Sequence, residues 1–145
     1  MSYSTCEVGL LAVIRKHADF PAANTSRGDF RIIGHGKERV AVLTFAGGTE
    51  REETVRSLIH TWTTNINLFV PWRGEYSTWL TTMQTEMQKI VDTIIQWPKL
   101  NATDGVLRVS LSVQSPDMPT LEYGAYRGQK LICTIEELRT PSRQE

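Results

Sequence analysis

The stretch that decides the fold reads LIHTWTTNINLFV at 58–70, YSTWLTTMQTEMQKIVDTIIQ at 76–96 and VLRVSLSV at 106–113. Apolar and polar side chains alternate in the first segment, which predicts a strand with one buried face. In the second segment apolar residues recur every three or four positions, and this spacing predicts a long amphipathic helix from about Glu75 to Gln96. The third segment returns to a period of two and predicts another strand. Its inward-facing residues are expected to be Leu107, Val109, Leu111 and Val113.

Shorter patterns complete the chain. A helix is predicted from Glu7 to His17, opened by a capping box of Ser4 and Glu7. Three further strands are predicted at Phe30–Ile33, Val40–Phe45 and Lys130–Leu138. Gly47-Gly48 is expected to end the second of these, and the charged run Glu50–Glu53 to form a solvated turn or a strand edge. This order predicts an α+β fold, a mostly antiparallel sheet of four to five strands packed by one long and one short helix.

Length and composition limit the class of protein. A chain of 145 residues fits one domain, expected to span 1–145 with a frayed polar tail at 139–145. Sixteen basic and sixteen acidic residues cancel, so no general attraction to nucleic acid or to an anionic membrane is expected. No apolar run approaches the length of a transmembrane helix, and the first residues lack the pattern of a signal peptide. Cys6 and Cys133 are predicted to be buried free thiols in a reducing compartment, the cytosol.

Residues that could carry catalysis or hold a cofactor form no known pattern. Gly34-His35-Gly36-Lys37 is similar to the end of a phosphate-binding loop, but Arg31 stands where the first glycine should be and Glu38 follows the lysine. The three histidines share no metal-ligand spacing with one another or with the cysteines. We therefore predict no catalytic, cofactor-binding or metal-binding residue, no cofactor, and a protein that is not an enzyme.

Several large side chains stand at element ends or in loops, where one subunit buries them less easily. Trp72 follows the long predicted strand, and Met118, Tyr123 and Tyr126 lie in the late loop. Large side chains in such positions are enriched in protein interfaces. These four residues are therefore predicted to contact a partner.

Five features, which cover nearly the whole chain, form one pattern. They are the amphipathic helix Glu7–His17, the strand 61–70, the long helix Tyr76–Trp97, the return strand Gly105–Val113 and the closing strand Gly128–Ile135. This order of elements resembles the tail terminator and related neck proteins of long-tailed bacteriophages. The resemblance implies a small α+β protein that forms a ring, expected to be a hexamer, at the head-proximal end of the tail.

The function implied by the resemblance is mechanical. The ring would cap the tail tube, end polymerisation of the tube protein and join the tail to a head-side connector protein. Its partners would be further copies of the chain, the tube protein and the connector, with DNA passing through the lumen without sequence-specific binding and with no membrane contact. The protein would reside in the virion and, during assembly, in the host cytoplasm. Charged residues expected to fix the register between neighbouring subunits are Arg51, Glu53 and Arg127.

Two other functions fit the same pattern. A small-ligand-binding or enzymatic α+β domain would hold its ligand between the long helix and the sheet. That function needs polar residues on the buried face of the helix, whereas Thr82, Thr93 and Gln96 are predicted to lie mostly outside it. Another virion protein, of the neck or of head completion, would have a similar size. The long helix favours the terminator over a tube subunit.

Overall fold

A computed structural model describes residues 3–34, 36–54, 57–72, 74–100, 106–114 and 121–139, and for 50–54, 57, 121–123 and 139 it describes the backbone alone. In this part of the chain two α-helices and six strands follow one another. They are α1 (Tyr3–Ile14), β1 (Thr25–Arg27), β2 (Val40–Thr54), β3 (Ser57–Pro71), α2 (Tyr76–Gln96), β4 (Val106–Val113), β5 (Leu121–Tyr123) and β6 (Tyr126–Arg139). Short 3-10 turns at Ala22–Asn24 and Phe30–Ile32 flank β1.

The strands form one sheet in the order β1-β2-β3-β6-β4, and the short β5 also pairs with β6. β1 runs parallel to β2, and the other pairings are antiparallel. The long strands β2, β3 and β6 have 15, 15 and 14 residues. The α+β class, the mostly antiparallel sheet and the combination of one long and one short helix confirm the fold predicted from the sequence.

Both helices share one apolar core with the same face of the sheet. The predicted long helix is confirmed as α2. Its buried apolar residues recur at intervals of three and four: Trp79, Met83, Met87, Ile90 and Ile94. At 1.5 Å per residue, α2 extends for about 32 Å. Cys6 and Cys133 lie in this core as free thiols, as predicted.

The opposite face of the sheet is covered mainly at one end. There the second 3-10 turn and the loop before β2 lie over a small buried cluster of Ile33, Val40, Val42, Phe69 and Tyr126. Because side chains alternate along a strand, the rest of this face can be read from the register. It carries mostly small polar side chains, with Ile59 and Ile132 among them: Thr61, Thr63, Asn65, Ser110, Ser112 and Thr134.

The strand predicted at Val40–Phe45 is much longer than expected, because Gly47-Gly48 does not end it. The chain forms a β-bulge between Phe45 and Gly47 and continues beside β3 to Thr54. Gly47 has a φ of 120°, a conformation that glycine tolerates best. Of the two alternatives for Glu50–Glu53, the strand edge is therefore right.

α1 starts earlier than predicted, at Tyr3, and ends at Ile14. The predicted capping box is wrong, because the buried carboxylate of Glu7 makes an ion pair with Arg27 of β1. The two partners are 20 residues apart in sequence, so the local pattern gave no sign of the pair.

Two strand predictions also need correction. Phe30–Ile32 is a 3-10 turn, started by the carboxylate of Asp29, which accepts a hydrogen bond from the N–H of Arg31 at 3.0 Å. A short polar side chain that bonds the next backbone N–H groups favours such a turn over an extended strand. β6 begins at Tyr126 instead of Lys130, so it pairs with β3 over nearly the full length of both strands.

Candidate interaction surfaces

One end of the long strands carries three residues that were predicted to contact a partner: Trp72, Tyr126 and Arg127. The ladder between β3 and β6 brings them together. The backbone N–H of Trp72 donates to the carbonyl of Ala125 at 2.7 Å, and the Arg127 guanidinium lies 5.2 Å from the centre of the Trp72 ring. This cation–π contact holds both side chains at the end of the sheet.

Trp72 also begins a row of aromatic rings that links this end of the sheet to α2. The ring centres lie 6.3 Å apart for Trp72 and Tyr76, 5.7 Å for Tyr76 and Trp79, and 5.8 Å for Trp72 and Trp79. Trp79 is buried in the core, whereas Tyr76 is exposed and Trp72 half-buried. The row therefore extends from the core to the surface and presents rigid aromatic area there.

Tyr126 is used within its own subunit. Its side chain is only 8% exposed, and its hydroxyl donates to the carbonyl of Lys37 at 2.8 Å. This hydrogen bond fixes the loop before β2 to the end of β6. The predicted contact of Tyr126 with a partner stays a prediction, but its burial has an explanation inside the fold.

Arg51 and Glu53 lie near the opposite end of the long strands, in the tip of the hairpin that β2 makes with β3. Arg51 pairs with Ile59, whereas Trp72 follows the other end of β3. At about 3.3 Å per residue these two ends of β3 are roughly 40 Å apart. The structure therefore does not bring Arg51 and Glu53 close to Trp72 and Arg127.

Two further residues of the predicted set are described partly or not at all. Tyr123 pairs with Tyr126 through its backbone, which places it at the same end of the sheet as Trp72, and its side chain is outside the described atoms. Met118 lies outside the described residues.

A groove separates α2 from the outer strand β4, on the side where the sequence analysis placed the ligand of a small-ligand-binding domain, but its lining residues were not predicted. Its volume is about 430 Å³, and its lining is apolar: Val91, Ile94, Ile95, Pro98, Val109 and Leu111. Ile95 beside it is 63% exposed. Leu107 and Val113, predicted to face inward, are also exposed, and Leu107 is the extra residue of a bulge between Val106 and Arg108. The alternating apolar residues of β4 were the available signal for this surface.

The groove continues into a section of about 350 Å³ lined by three glutamines and three apolar residues: Gln84, Gln88, Gln129, Met87, Val91 and Val113. Gln129 is buried, and its amide Nε2 donates to the carbonyl of Gln114 at 2.5 Å. The Oε1 atom of the same amide is buried without a hydrogen-bond partner.

A buried carboxylate on α2, Glu86, ties two loops to the helix. Its oxygens lie 2.9 Å from Lys89 Nζ and 2.6 Å from Arg39 Nε. The contact with Arg39 is an ion pair without a hydrogen bond, because the Arg39 Nε–H does not point at the carboxylate oxygen. Lys89 also donates to Asp19 at 2.9 Å, which lowers the pKa of Asp19 and raises the pKa of Lys89.

Thr93, predicted to lie outside the buried face of α2, is buried as well, so that prediction was wrong.

Two thiols and a phenol in or beside the core stay protonated at neutral pH. Burial raises the pKa of Cys6 and of Cys133 to about 12. Burial, followed by a hydrogen bond to Glu7, also raises the pKa of Tyr3 well above its usual value. Nucleophilic catalysis by cysteine needs the thiolate, so neither thiol is poised for it.

Among the described residues, no group of three or more His, Cys, Asp and Glu side chains could hold a metal ion. Neither α1 nor α2 is long and apolar enough to cross a membrane, and the same holds for every helix in the described ranges. No protein-family model matches the chain, and a comparison with curated proteins found no match.

Proposed function

We propose that this chain is a structural virion protein that forms a ring, caps the phage tail tube, ends polymerisation of the tube protein and joins the tail to the head connector. The order of elements along the sequence, which resembles that of tail terminators, supports this function. The observation that carries the proposal is the length of the central strands, which separates two different surfaces by roughly 40 Å. One surface is the aromatic end around Trp72, and the other is the hairpin tip with Glu50–Glu53.

A ring that joins the tail tube to the head connector needs one surface for each of these partners and a third surface for the neighbouring subunits. The two ends of β3 can serve the tube and the connector, because they lie roughly 40 Å apart at opposite ends of the sheet. The sides of the subunit, with the groove between α2 and β4, are left for contacts within the ring. Ring closure requires such a heterologous contact, in which different surfaces of the same chain meet.

The test is the growth of tail tubes from purified tube protein of the same virus, with and without this chain. Added chain is expected to stop elongation and to appear as rings at tube ends by negative-stain electron microscopy. Light scattering is expected to give the mass of six chains of 16.4 kDa each. A strict monomer that leaves tube length unchanged would contradict the proposal.

A matched pair of tryptophans tests which end meets the partner. Trp72 and Trp97 are both partly exposed and both lie under a cation, Arg127 and Lys16 respectively. Trp72→Ala is expected to weaken binding to the tube or the connector while the ring persists, and Trp97→Ala to bind as the unmodified chain does. Capture of the connector but not of the tube would identify another kind of neck protein.

The apolar groove between α2 and β4 favours binding of a small apolar ligand as a second candidate function. A ligand screen by thermal shift tests it. A compound that raises the Tm of the unmodified chain but not that of Ile95→Glu would support this alternative, whereas no shift from any apolar compound would count against it.

A further inference from the structure

Residues of β4 and β2, at opposite sides of the sheet, can be aligned through the pairing register. We call two such residues level when the register connects them from β4 through β6 and β3 to β2. The level pairs are Val106 with Glu50, Val109 with Gly48, Leu111 with Phe45, and Val113 with Leu43. Beyond Leu43 the outer side of β2 has no neighbour among the described strands, and neither has the outer side of β4. The free part of the β2 edge therefore spans the levels from Val106 to Leu111, whereas at the level of Val113 the outer side of β2 is occupied by Arg27 of β1.

The strand directions allow one copy to continue the sheet of the next. β2, β3, β6 and β4 alternate in direction, so β4 runs opposite to β2. Placing β4 of one copy beside β2 of another therefore extends the antiparallel order. Because the edges are level, the second copy is related to the first by a rotation without a shift along the strands. A contact of this kind closes into a ring when its rotation is a whole fraction of a full turn, whereas a shift would produce a helical filament.

The side chains at these levels are complementary. Phe45 points to the helix side of the sheet, where it touches the Tyr3 ring, and yet it is 51% exposed. Its level partner Leu111 lines the apolar groove beside α2. Neighbouring strands lie about 4.8 Å apart, so a phenylalanine on the adjoining edge reaches this groove.

One more level pair lies on the face opposite the helices. Arg108 of β4 is level with Thr49 of β2, and it makes an ion pair with Glu136 of its own copy at 3.1 Å.

We propose that Phe45 of one copy fills the groove between α2 and β4 of the next copy, and that repetition of this contact closes the ring. The proposal rests on the ring function proposed above and specifies its subunit interface. The bulge at Phe45–Gly47 turns the edge of β2 locally. The contact therefore relies on the apolar side chain of Phe45, and an unbroken ladder of backbone hydrogen bonds is not required.

Disulfide cross-linking tests the level pairs directly. Thr49 and Arg108 are exposed and lie on the same face of the sheet. The double variant Thr49→Cys/Arg108→Cys is expected to give, on oxidation, a ladder of multimers that ends in a closed ring without free engineered thiols. Each single variant is the control and is expected to stay uncross-linked. Dimers from Arg108→Cys alone would place β4 against β4 and overturn the proposal.

Charged substitutions in the groove test the same contact without cross-linking. Ile95→Glu and Phe45→Glu are expected to reduce the ring to monomers by light scattering. Because Ile95 is mostly exposed, Ile95→Glu should keep the Tm of the unmodified chain. Leu138→Glu is the matched control, since Leu138 is an exposed apolar residue on the central strand β6 and should leave the ring intact.

The outcomes separate this interface from the ring function itself. Rings seen by electron microscopy without cross-links in the double variant would overturn the interface and leave the ring function standing. Closed cross-linked multimers that do not affect tube growth would support the interface and contradict the terminator function. Rings that survive both Ile95→Glu and Phe45→Glu would likewise exclude the groove as the contact.

Discussion

The two faces of the sheet are made by the same strands but are covered differently. On β3, Ile66 and Leu68 enter the core under α1 and α2, while Thr63 and Asn65 point to the opposite face. Two helices cover the first face, and a 3-10 turn with its flanking loop covers one end of the second. Burial of apolar area drives folding, so the helix-side face supplies most of the stability. The opposite face keeps small polar side chains that are available for contacts outside the subunit.

Thiol labelling should give the largest difference between the faces. Cys133 is buried on the helix side with its pKa raised to about 12, and its neighbour Thr134 points the other way. Cys133 should therefore react only when the chain unfolds, whereas the thiol of Thr134→Cys should react in the native state, on the order of 10³ times faster or more. The measurement is the rate of modification by a thiol reagent in native buffer and in urea. Equal rates for the two thiols would show that the helix-side core is open to solvent.

Removing a core side chain from β3 should cost far more stability than removing one from the opposite face. Ile66→Ala is expected to lower the free energy of unfolding by about 2–5 kcal/mol, because Ile66 is fully buried and leaves a cavity. Thr63→Ala on the same strand should change it by less than about 0.5 kcal/mol. Urea unfolding followed by tryptophan fluorescence measures both, and similar losses would remove the distinction between the faces.

At Asn67 the face of the sheet opposite the helices is buried as well. Its buried amide donates to the carbonyl of Val42 and to Thr44 Oγ1, both at 3.0 Å. Asn67→Ala is expected to cost about 1–3 kcal/mol in the free energy of unfolding, because it leaves a buried acceptor without its donor. Asn65→Ala, two residues away on the same face and less buried, is the control and should cost less. An Asn67→Ala chain as stable as the Asn65→Ala chain would mean that solvent reaches this site.

The smallest expected effect concerns the loop that follows α1. The hydrogen bond from Lys89 lowers the pKa of Asp19 below 3.8, so the folded state binds this proton less readily than the unfolded state does. The stabilisation is therefore present above about pH 4 and is lost as the pH falls through the lowered pKa. The difference in free energy of unfolding between the unmodified chain and Asp19→Asn, measured by urea unfolding, should shrink from pH 6 to pH 3. A difference that stays constant with pH would show that the pair does not affect stability.

The elements that sequence alone predicts are those whose pattern is set by local geometry. α2 follows from a spacing of three and four residues, and β3 from strict alternation, because each pattern is long and unbroken. The sequence wrongly predicts that β2 ends at Gly47-Gly48. A glycine pair that forms a bulge inside a ladder looks the same in sequence as one that ends a strand. The capping box at Glu7 failed because a residue far along the chain, Arg27, competes for the carboxylate.

The candidate surfaces were harder to predict than the elements. Trp72 and Arg127 are 55 positions apart, and only the ladder between β3 and β6 shows that they touch. The groove beside β4 depends on how far α2 reaches across the sheet, and periodicity carries no information on that distance. Glu86 lies within the apolar stripe of α2, where its burial depends on cations supplied by Lys89 and by a loop before β2. In each case the decisive partner is fixed by the tertiary arrangement.

The central position of β6 has a consequence for the order in which the sheet folds. β3, β4 and β5 all pair with β6, and α2 and β4 lie between β3 and β6 along the chain. Contacts between segments distant in sequence form slowly. We therefore expect the ladder between β3 and β6 to form late in folding. A partly folded chain could not offer the finished edge of β4 to a neighbour, so recruitment into a larger structure would be restricted to fully folded molecules.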